Sequence, residues 1–211
     1  VNLPFYRLSR ASVRLCFRAL FGFRTIGSER VPRTGPLIVA CNHVSNLDPP
    51  ALGVALPRPV TYMAKKELFA MPVLGPVITG LGAFPVDRSR GDLGAVKVAI
   101  AVLTRGACLG IFPEGGRNPD GTKEPQSGVA LLASLSGATV LPAYVSGTSQ
   151  SKFRHRVTVV FGEPLRFERS DASAPAPGIE KNQKARRDDL AKWTRELMSE
   201  IYALREIADG H

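Results

Sequence analysis

A histidine and an aspartate stand five positions apart in the run Asn42-His43-Val44-Ser45-Asn46-Leu47-Asp48. A neutral imidazole, with an ordinary pKa of about 6.5, can take a proton from an alcohol near neutral pH. A carboxylate behind it fixes the tautomer and stabilises the imidazolium that forms. General-base help of this kind is worth about 10²–10⁴ in rate. The pair also has a plainer use, with Asp48 capping a helix and His43 bonding within a loop, and the spacing alone does not choose. The apolar run Leu37-Ile38-Val39-Ala40-Cys41 just before the pair predicts a buried strand. Asp48-Pro49-Pro50 predicts a helix start, with Asp48 as N-cap and Pro49 as the first helical residue. His43 then leaves a strand end and Asp48 opens a helix, the kind of place where α/β proteins bind ligands. The other two histidines, His155 and His211, have no comparable setting.

Further along the chain lie three clusters suited to anions or to shaping a pocket. Gly82-Ala83-Phe84-Pro85-Val86-Asp87-Arg88 delivers Arg88 from a short predicted strand into a loop. The planar guanidinium fork suits a phosphate, although an arginine after a strand is more often a solvated surface residue. Ile111-Phe112-Pro113-Glu114-Gly115-Gly116-Arg117-Asn118 follows another predicted strand. Adjacent glycines let a ligand approach the main chain, and Glu114 and Arg117 can face one polar ligand from one turn. An ordinary turn with a surface ion pair fits the same residues. In Val140-Leu141-Pro142-Ala143-Tyr144, Pro142 interrupts an apolar strand and so predicts an edge or a bulge.

Short apolar runs at 37–41, 59–63, 83–86, 108–112, 139–145 and 156–161 alternate with helical stretches at 48–56, 72–81, 92–105, 127–136 and 184–207. Such alternation predicts an α/β fold, a single domain with a mixed, largely parallel central sheet flanked by helices. Residues 170–180, rich in proline and alanine, read as a connection. The last helix places Leu190, Trp193, Leu197, Ile201 and Leu204 on one face, a stripe for docking on the domain. A further helix is expected at 5–22, where Arg7, Arg10, Arg14 and Arg18 share a face and Leu8, Leu15, Cys16, Ala19 and Leu20 lie largely opposite. A basic amphipathic helix with aromatic flanks suits an anionic bilayer surface. The alternative is that its apolar face packs on the domain. The expected division is an N-terminal membrane-contact segment at 1–30 and a catalytic domain at 31–211.

Composition narrows the partners. The net charge of +10 over 211 residues implies an anionic one. No nucleic-acid-binding signature is present, so a membrane surface or a phosphorylated substrate is favoured over nucleic acid. No apolar run approaches the ~18 residues of a membrane span, and no signal peptide is evident. The three cysteines, Cys16, Cys41 and Cys108, predict reduced thiols rather than a disulfide framework. No cysteine–histidine cluster suggests a metal.

Taken in order, NHVSNLD, GAFPVDR, FPEGGRN and VLPA resemble the motif series of the glycerolipid acyltransferase family typified by bacterial 1-acylglycerol-3-phosphate acyltransferase. Each is loose alone; the ordered combination across residues 42–143 is specific. The resemblance implies transfer of a fatty acyl group from acyl-CoA or acyl-carrier protein to the 2-hydroxyl of lysophosphatidic acid, giving phosphatidic acid for phospholipid synthesis. It implies His43 as general base, Asp48 as its orienting partner, and Arg88 on the acceptor phosphate. Glu114, Gly115 and Arg117 would position the glycerol phosphate, and Pro142 would shape the acyl or acceptor pocket. Transfer would be direct, with no covalent acyl-enzyme, no metal and no cofactor beyond the acyl donor as co-substrate. Partners would be anionic lipids, the lysophospholipid acceptor and the donor. The expected location is the cytoplasmic face of the cell membrane, as a peripheral protein without a transmembrane span. Gly116 and Asn118 depart from the threonine and serine usual in the third motif. That keeps other acceptors in view, such as glycerol 3-phosphate or a lyso-aminolipid, beside a thioesterase or lipid hydrolase that activates water with His43. Backbone amides near Gly115 and Gly147 are the candidate oxyanion donors.

Overall fold

A computed structural model describes residues 2–87, 92–149, 156–167 and 179–210, without the side chains of 179–185. The helices are α1 (Leu3–Phe21), α2 (Asp48–Ala55), α3 (Leu74–Gly80), α4 (Leu93–Thr104), α5 (Gly128–Ser136) and α6 (Ile179–Asp209). The strands are β1 (Arg24–Ile26), β2 (Leu37–Cys41), β3 (Val60–Lys65), β4 (Phe84–Val86), β5 (Cys108–Ile111), β6 (Thr139–Ser146) and β7 (Thr158–Phe161). They form one sheet in the order β1-β7-β6-β2-β5-β3-β4. Strands β6, β2, β5, β3 and β4 are mutually parallel, while β7 runs antiparallel to β6 and carries β1 parallel to itself. The sheet is therefore mixed and largely parallel, as the alternating pattern predicts.

Strand β2 sits at the centre of this order, and all five of its residues are buried. A strand covered on both faces must be apolar throughout, which is why Leu37–Cys41 reads as an unbroken run. Its pleat divides the core. Leu37, Val39 and Cys41 pack with Phe17 of α1 and with Ala51, Leu52 and Ala55 of α2. Ile38 and Ala40 pack on the other face with Ala99 and Leu103 of α4, Val129 and Leu132 of α5, and Leu197, Ile201 and Leu204 of α6. The result is a helix–sheet–helix sandwich. Each fully buried aliphatic side chain in these layers contributes about 1.5–3 kcal/mol.

Three features of the fold extend or differ from the sequence expectations, each with a physical cause. Strand β1 was not expected: three residues are too few to show a period, and their pairing with β7 comes from across the chain. Pro142 lies inside the sheet rather than at its outer edge. Its carbonyl accepts from Gly162 N at 2.9 Å, and the next rung is the reciprocal Val140–Leu165 pair. Between those rungs Leu141 of β6 opposes both Glu163 and Pro164 of the partner segment, so the strand's missing donor falls beside a bulge, the second of the two expected settings.

The third concerns α1. Asn2 caps it by accepting from Phe5 N at 3.3 Å, and Gly22 ends it in the left-handed conformation (φ 62°). Its buried residues are Tyr6 and Phe17. Arg10 and Arg14 also turn inward and are half-buried, with Arg10 Nη2 donating to the Val54 carbonyl at 3.3 Å. Leu8 and Leu15 are each 69% exposed. The four arginines therefore do not form the outer face, and the apolar stripe faces outward instead of packing on the domain. The connection expected at 170–180 lies outside the described residues except for Ile179 and Glu180, which begin α6.

Candidate active site

Because β2, β5 and β6 are parallel neighbours, the turns after them emerge at one edge of the sheet. This is the carboxyl edge, where open α/β sheets bind ligands. The turn after β2 carries His43, the turn after β5 carries Glu114 to Asn118, and the turn after β6 carries Gly147 and Thr148.

The His43–Asp48 pair is formed. His43 Nδ1 lies 2.9 Å from Asp48 Oδ2, with side-chain exposures of 12% and 0%. A carboxylate only accepts, so the proton of the neutral ring sits on Nδ1 and the basic lone pair on Nε2. Asp48 is the first residue of α2 rather than its cap, which is Leu47. Freed from capping, its side chain folds back over the turn. Oδ2 accepts from Val44 N and Ser45 N, each at 2.7 Å, as well as from His43. Oδ1 accepts from Thr148 Oγ1. The turn-holding and imidazole-orienting uses of Asp48 thus coexist. Phe112 stacks on the imidazole with centroids 4.3 Å apart, and Tyr62 lies beyond it at 6.1 Å. Neighbouring Asn42 is tied to β6 by reciprocal bonds with Val145, at 2.7 and 3.0 Å.

Glu114 is 3% exposed and has its oxygens committed internally. Oε2 accepts from His43 N at 2.7 Å, and Oε1 accepts from Asn118 Nδ2 at 3.2 Å and from the Tyr202 hydroxyl. Its geometry is that of a brace for the His43 turn. Asn118 takes part in the same brace. Its backbone N donates to the His43 carbonyl at 2.6 Å, and its side-chain oxygen accepts from Lys123 N at 3.1 Å. The link from Asn118 to the His43 turn is its backbone amide, and the asparagine side chain, which departs from the family pattern, adds bonds to Glu114 and Lys123 within its own turn.

Gly115 has φ 68°, and a Cβ there would collide with the Gln126 carboxamide. Its amide donates to the Phe112 carbonyl at 3.0 Å, so it is already used within the turn. Arg117 is exposed beside these braced residues. Pro142 is buried in β6, opposite Ala40 of β2. Arg88 lies outside the described residues; the strand leading to it, β4, ends at Val86, and the next residue, Asp87, pairs with Lys66. Thr148 and Tyr202 are the residues that sequence reasoning missed. They lie 100 and 88 positions from their carboxylate partners, and no local spacing points to them.

Burial pushes the phenols of Tyr6, Tyr62, Tyr144 and Tyr202 above their usual range. For Tyr202 the bond to Glu114 adds to the effect. Burial also raises the Cys41 thiol, and that of Cys108 to about 12, so neither is a ready nucleophile. Among the described residues no group of three or more His, Cys, Asp or Glu side chains is arranged to hold a metal ion. No described helix is long and apolar enough to cross a membrane.

Comparison with known proteins gives consistent results. Residues 22–146 match the Acyltransferase family model. A 1-acyl-sn-glycerol-3-phosphate acyltransferase of Bacillus subtilis is 30% identical over 164 residues, 76% of this chain and 82% of the relative. One of the same name from Borreliella burgdorferi is 32% identical over 151 residues, 68% of this chain and 60% of the relative. The crystal structure of the 1-acyl-sn-glycerophosphate acyltransferase PlsC from Thermotoga maritima shares the fold, with a TM-score of 0.65 and 24% identity over 92% of this chain and 79% of that one.

Proposed function

We propose that this chain, which belongs to the glycerolipid acyltransferase family, moves a fatty acyl group from an acyl thioester to the free 2-hydroxyl of 1-acyl-sn-glycerol 3-phosphate. The product is phosphatidic acid, and the donor is acyl-CoA or acyl-carrier protein. The observation that carries the reading is the His43–Asp48 pair, with Nδ1 2.9 Å from Asp48 Oδ2 and Nε2 left as the base. In the transfer, Nε2 takes the proton of the acceptor hydroxyl as that oxygen bonds to the thioester carbonyl carbon. The carbon–sulfur bond then breaks, and the thiolate leaves with the proton returned by the imidazolium. Asp48 stabilises the imidazolium between those two events. A thiolate is a good leaving group, so no metal is required.

Arg88 and Arg117 are assigned to the acceptor phosphate, where a guanidinium gives paired hydrogen bonds and a permanent charge. The names of the relatives and the order of the motifs support lysophosphatidic acid as acceptor. The outward apolar stripe of α1 supports docking on a bilayer, as a peripheral protein on the cytoplasmic face of the membrane. Leu8 and Leu15 at 69% exposure and Leu20 at 41% would enter the interface, with Arg7 and Arg18 near its charged headgroups.

The test is thiol release from palmitoyl-CoA in detergent micelles, with and without lysophosphatidic acid, followed by analysis of the lipid products. Acceptor-dependent release with phosphatidic acid formed is expected. Release without acceptor would replace the reading with a hydrolase. Release driven only by glycerol 3-phosphate or a lyso-aminolipid would replace the acceptor.

A further inference from the structure

Each carboxylate that holds the His43 turn receives a hydroxyl from outside the four motifs. Thr148 Oγ1 donates to Asp48 Oδ1, and the Tyr202 phenol donates to Glu114 Oε1. Both residues lie beyond the matched stretch, Thr148 in the turn after β6 and Tyr202 on α6.

The arrangement around Asp48 is lopsided. Oδ2 accepts three protons, from His43 Nδ1, Val44 N and Ser45 N, while Oδ1 accepts from Thr148. Asp48 is completely buried, so its charge is held by donors rather than by water. The carboxylate can tilt about its Cβ–Cγ bond, and the bond at Oδ1 holds its plane so that Oδ2 stays aligned with the imidazole N–H. Thr148 is itself 5% exposed and is aimed by Gly147, whose φ of 83° turns the chain back from the end of β6. A Cβ at Gly147 would run into the Arg156 carbonyl, so the turn has little freedom to move Thr148 away.

The second hydroxyl acts on the main chain. Glu114 Oε2 receives His43 N, and Oε1 is shared by Asn118 and Tyr202. Tyr202 stands beside the buried Ile201 of α6 and meets Tyr144 of β6 edge-on at 6.1 Å. The phenol keeps its proton well past neutrality, and so remains a donor throughout the working range.

We propose that Thr148 and Tyr202 are positioning residues for the transfer: acting through Asp48 and Glu114, they fix the imidazole and the main chain of His43 so that Nε2 meets the acceptor hydroxyl. Neither touches substrate. The proposal rests on the general-base reading of His43. It also makes α6 a working part of the site rather than only a cover for the sheet.

Thr148→Val keeps the shape and removes the donor; Thr148→Ser returns it; Tyr202→Phe removes the phenol alone. Assayed in the full chain, the Val and Phe variants should each lose about 10-fold in kcat, as for one lost bond to a charged group, with both KM values within about two-fold of wild type. Thr148→Ser should recover most of that turnover. Wild-type kcat in both the Val and Phe variants overturns the proposal. So does a rise in KM matching the activity loss, which would mean substrate contact, or a Ser variant as impaired as Val.

A second readout separates failure of the proposal from failure of the proposed reaction. In protein labelled with ¹⁵N-histidine, the His43 ring should show the Nδ1–H tautomer at neutral pH in the wild type and a mixture in Thr148→Val. An unchanged tautomer in that variant overturns the positioning role even if the wild type acylates no tested acceptor. A mixed tautomer supports it in that same case.

Discussion

Replacing Glu114 by glutamine separates a brace from a substrate contact with the loss of one oxygen. All the donors described at this side chain point at its oxygens: His43 N at Oε2, and Asn118 Nδ2 with the Tyr202 hydroxyl at Oε1. A carboxamide presents one oxygen and one NH₂ group, so in either orientation a donor faces a donor. With the nitrogen at Oε2, the His43 N–H, fixed in the backbone, loses its acceptor. With the nitrogen at Oε1, two side-chain donors are displaced. Asn118 cannot simply flip, because its own oxygen accepts from Lys123 N at 3.1 Å. One displaced buried donor costs about 1–3 kcal/mol, and the surviving bonds lose their ionic character, so Glu114→Gln should cost about 2–4 kcal/mol. With a urea m-value of about 2 kcal/mol/M, that moves the unfolding midpoint down by about 1–2 M. Turnover should fall because the turn carrying His43 loosens, while KM for the acceptor changes little. The assay is urea unfolding beside steady-state kinetics on the same protein. A wild-type midpoint with acceptor KM raised by about 10-fold or more would refute the brace and restore Glu114 to the acceptor pocket.

Other perturbations follow from the same geometry. His43→Ala should lower kcat by at least about 10² yet leave the fold intact, because Asp48 keeps its bonds from Val44, Ser45 and Thr148. Near-wild-type turnover would remove the mechanism. Gly115→Ala should cost about 1–3 kcal/mol, from the left-handed φ of 68° and the collision with Gln126; an unchanged urea midpoint would contradict it. The raised phenols and the raised thiols of Cys41 and Cys108 make stability fall with alkali. The unfolded chain releases these protons from about pH 8.5–10 while the folded chain still holds them, so the contribution is complete below that range and is lost as pH rises toward the folded values. Unfolding midpoints flat from about pH 8 to 11 would refute this. Leu8→Asp with Leu15→Asp should weaken binding to anionic vesicles about 10²-fold, as two largely exposed leucines leave the interface; unchanged vesicle flotation would count against docking through α1.

What the sequence could reveal depended on how far apart the interacting residues lie. The His43–Asp48 pair was readable because its members share one turn, between a strand and a helix that each have a local pattern. The central strand was readable because burial on both faces demands an unbroken apolar run. Periodicity in α1 grouped the residues by face, but it could not say which face points inward. The outcome there turned on Tyr6 and Phe17 meeting the core and on Arg10 reaching the Val54 carbonyl. The bracing bonds of Glu114 were not readable, because a carboxylate among glycines has no visible partner until the His43 turn and α6 are brought beside it. The same argument explains the departure at Asn118. A motif comparison registers a lost serine, whereas the fold registers a longer side chain that bonds Glu114 and Lys123 and whose backbone holds the His43 carbonyl. The motifs thus name the groups placed to do chemistry, and the groups that aim them come from wherever the topology delivers a donor. For this sheet, the carboxyl edge collects the turns after β2, β5 and β6, and α6 crosses the same end. A search for further aiming residues therefore belongs in the turn after β6 and on the sheet-facing side of α6, where sequence spacing offers no guide.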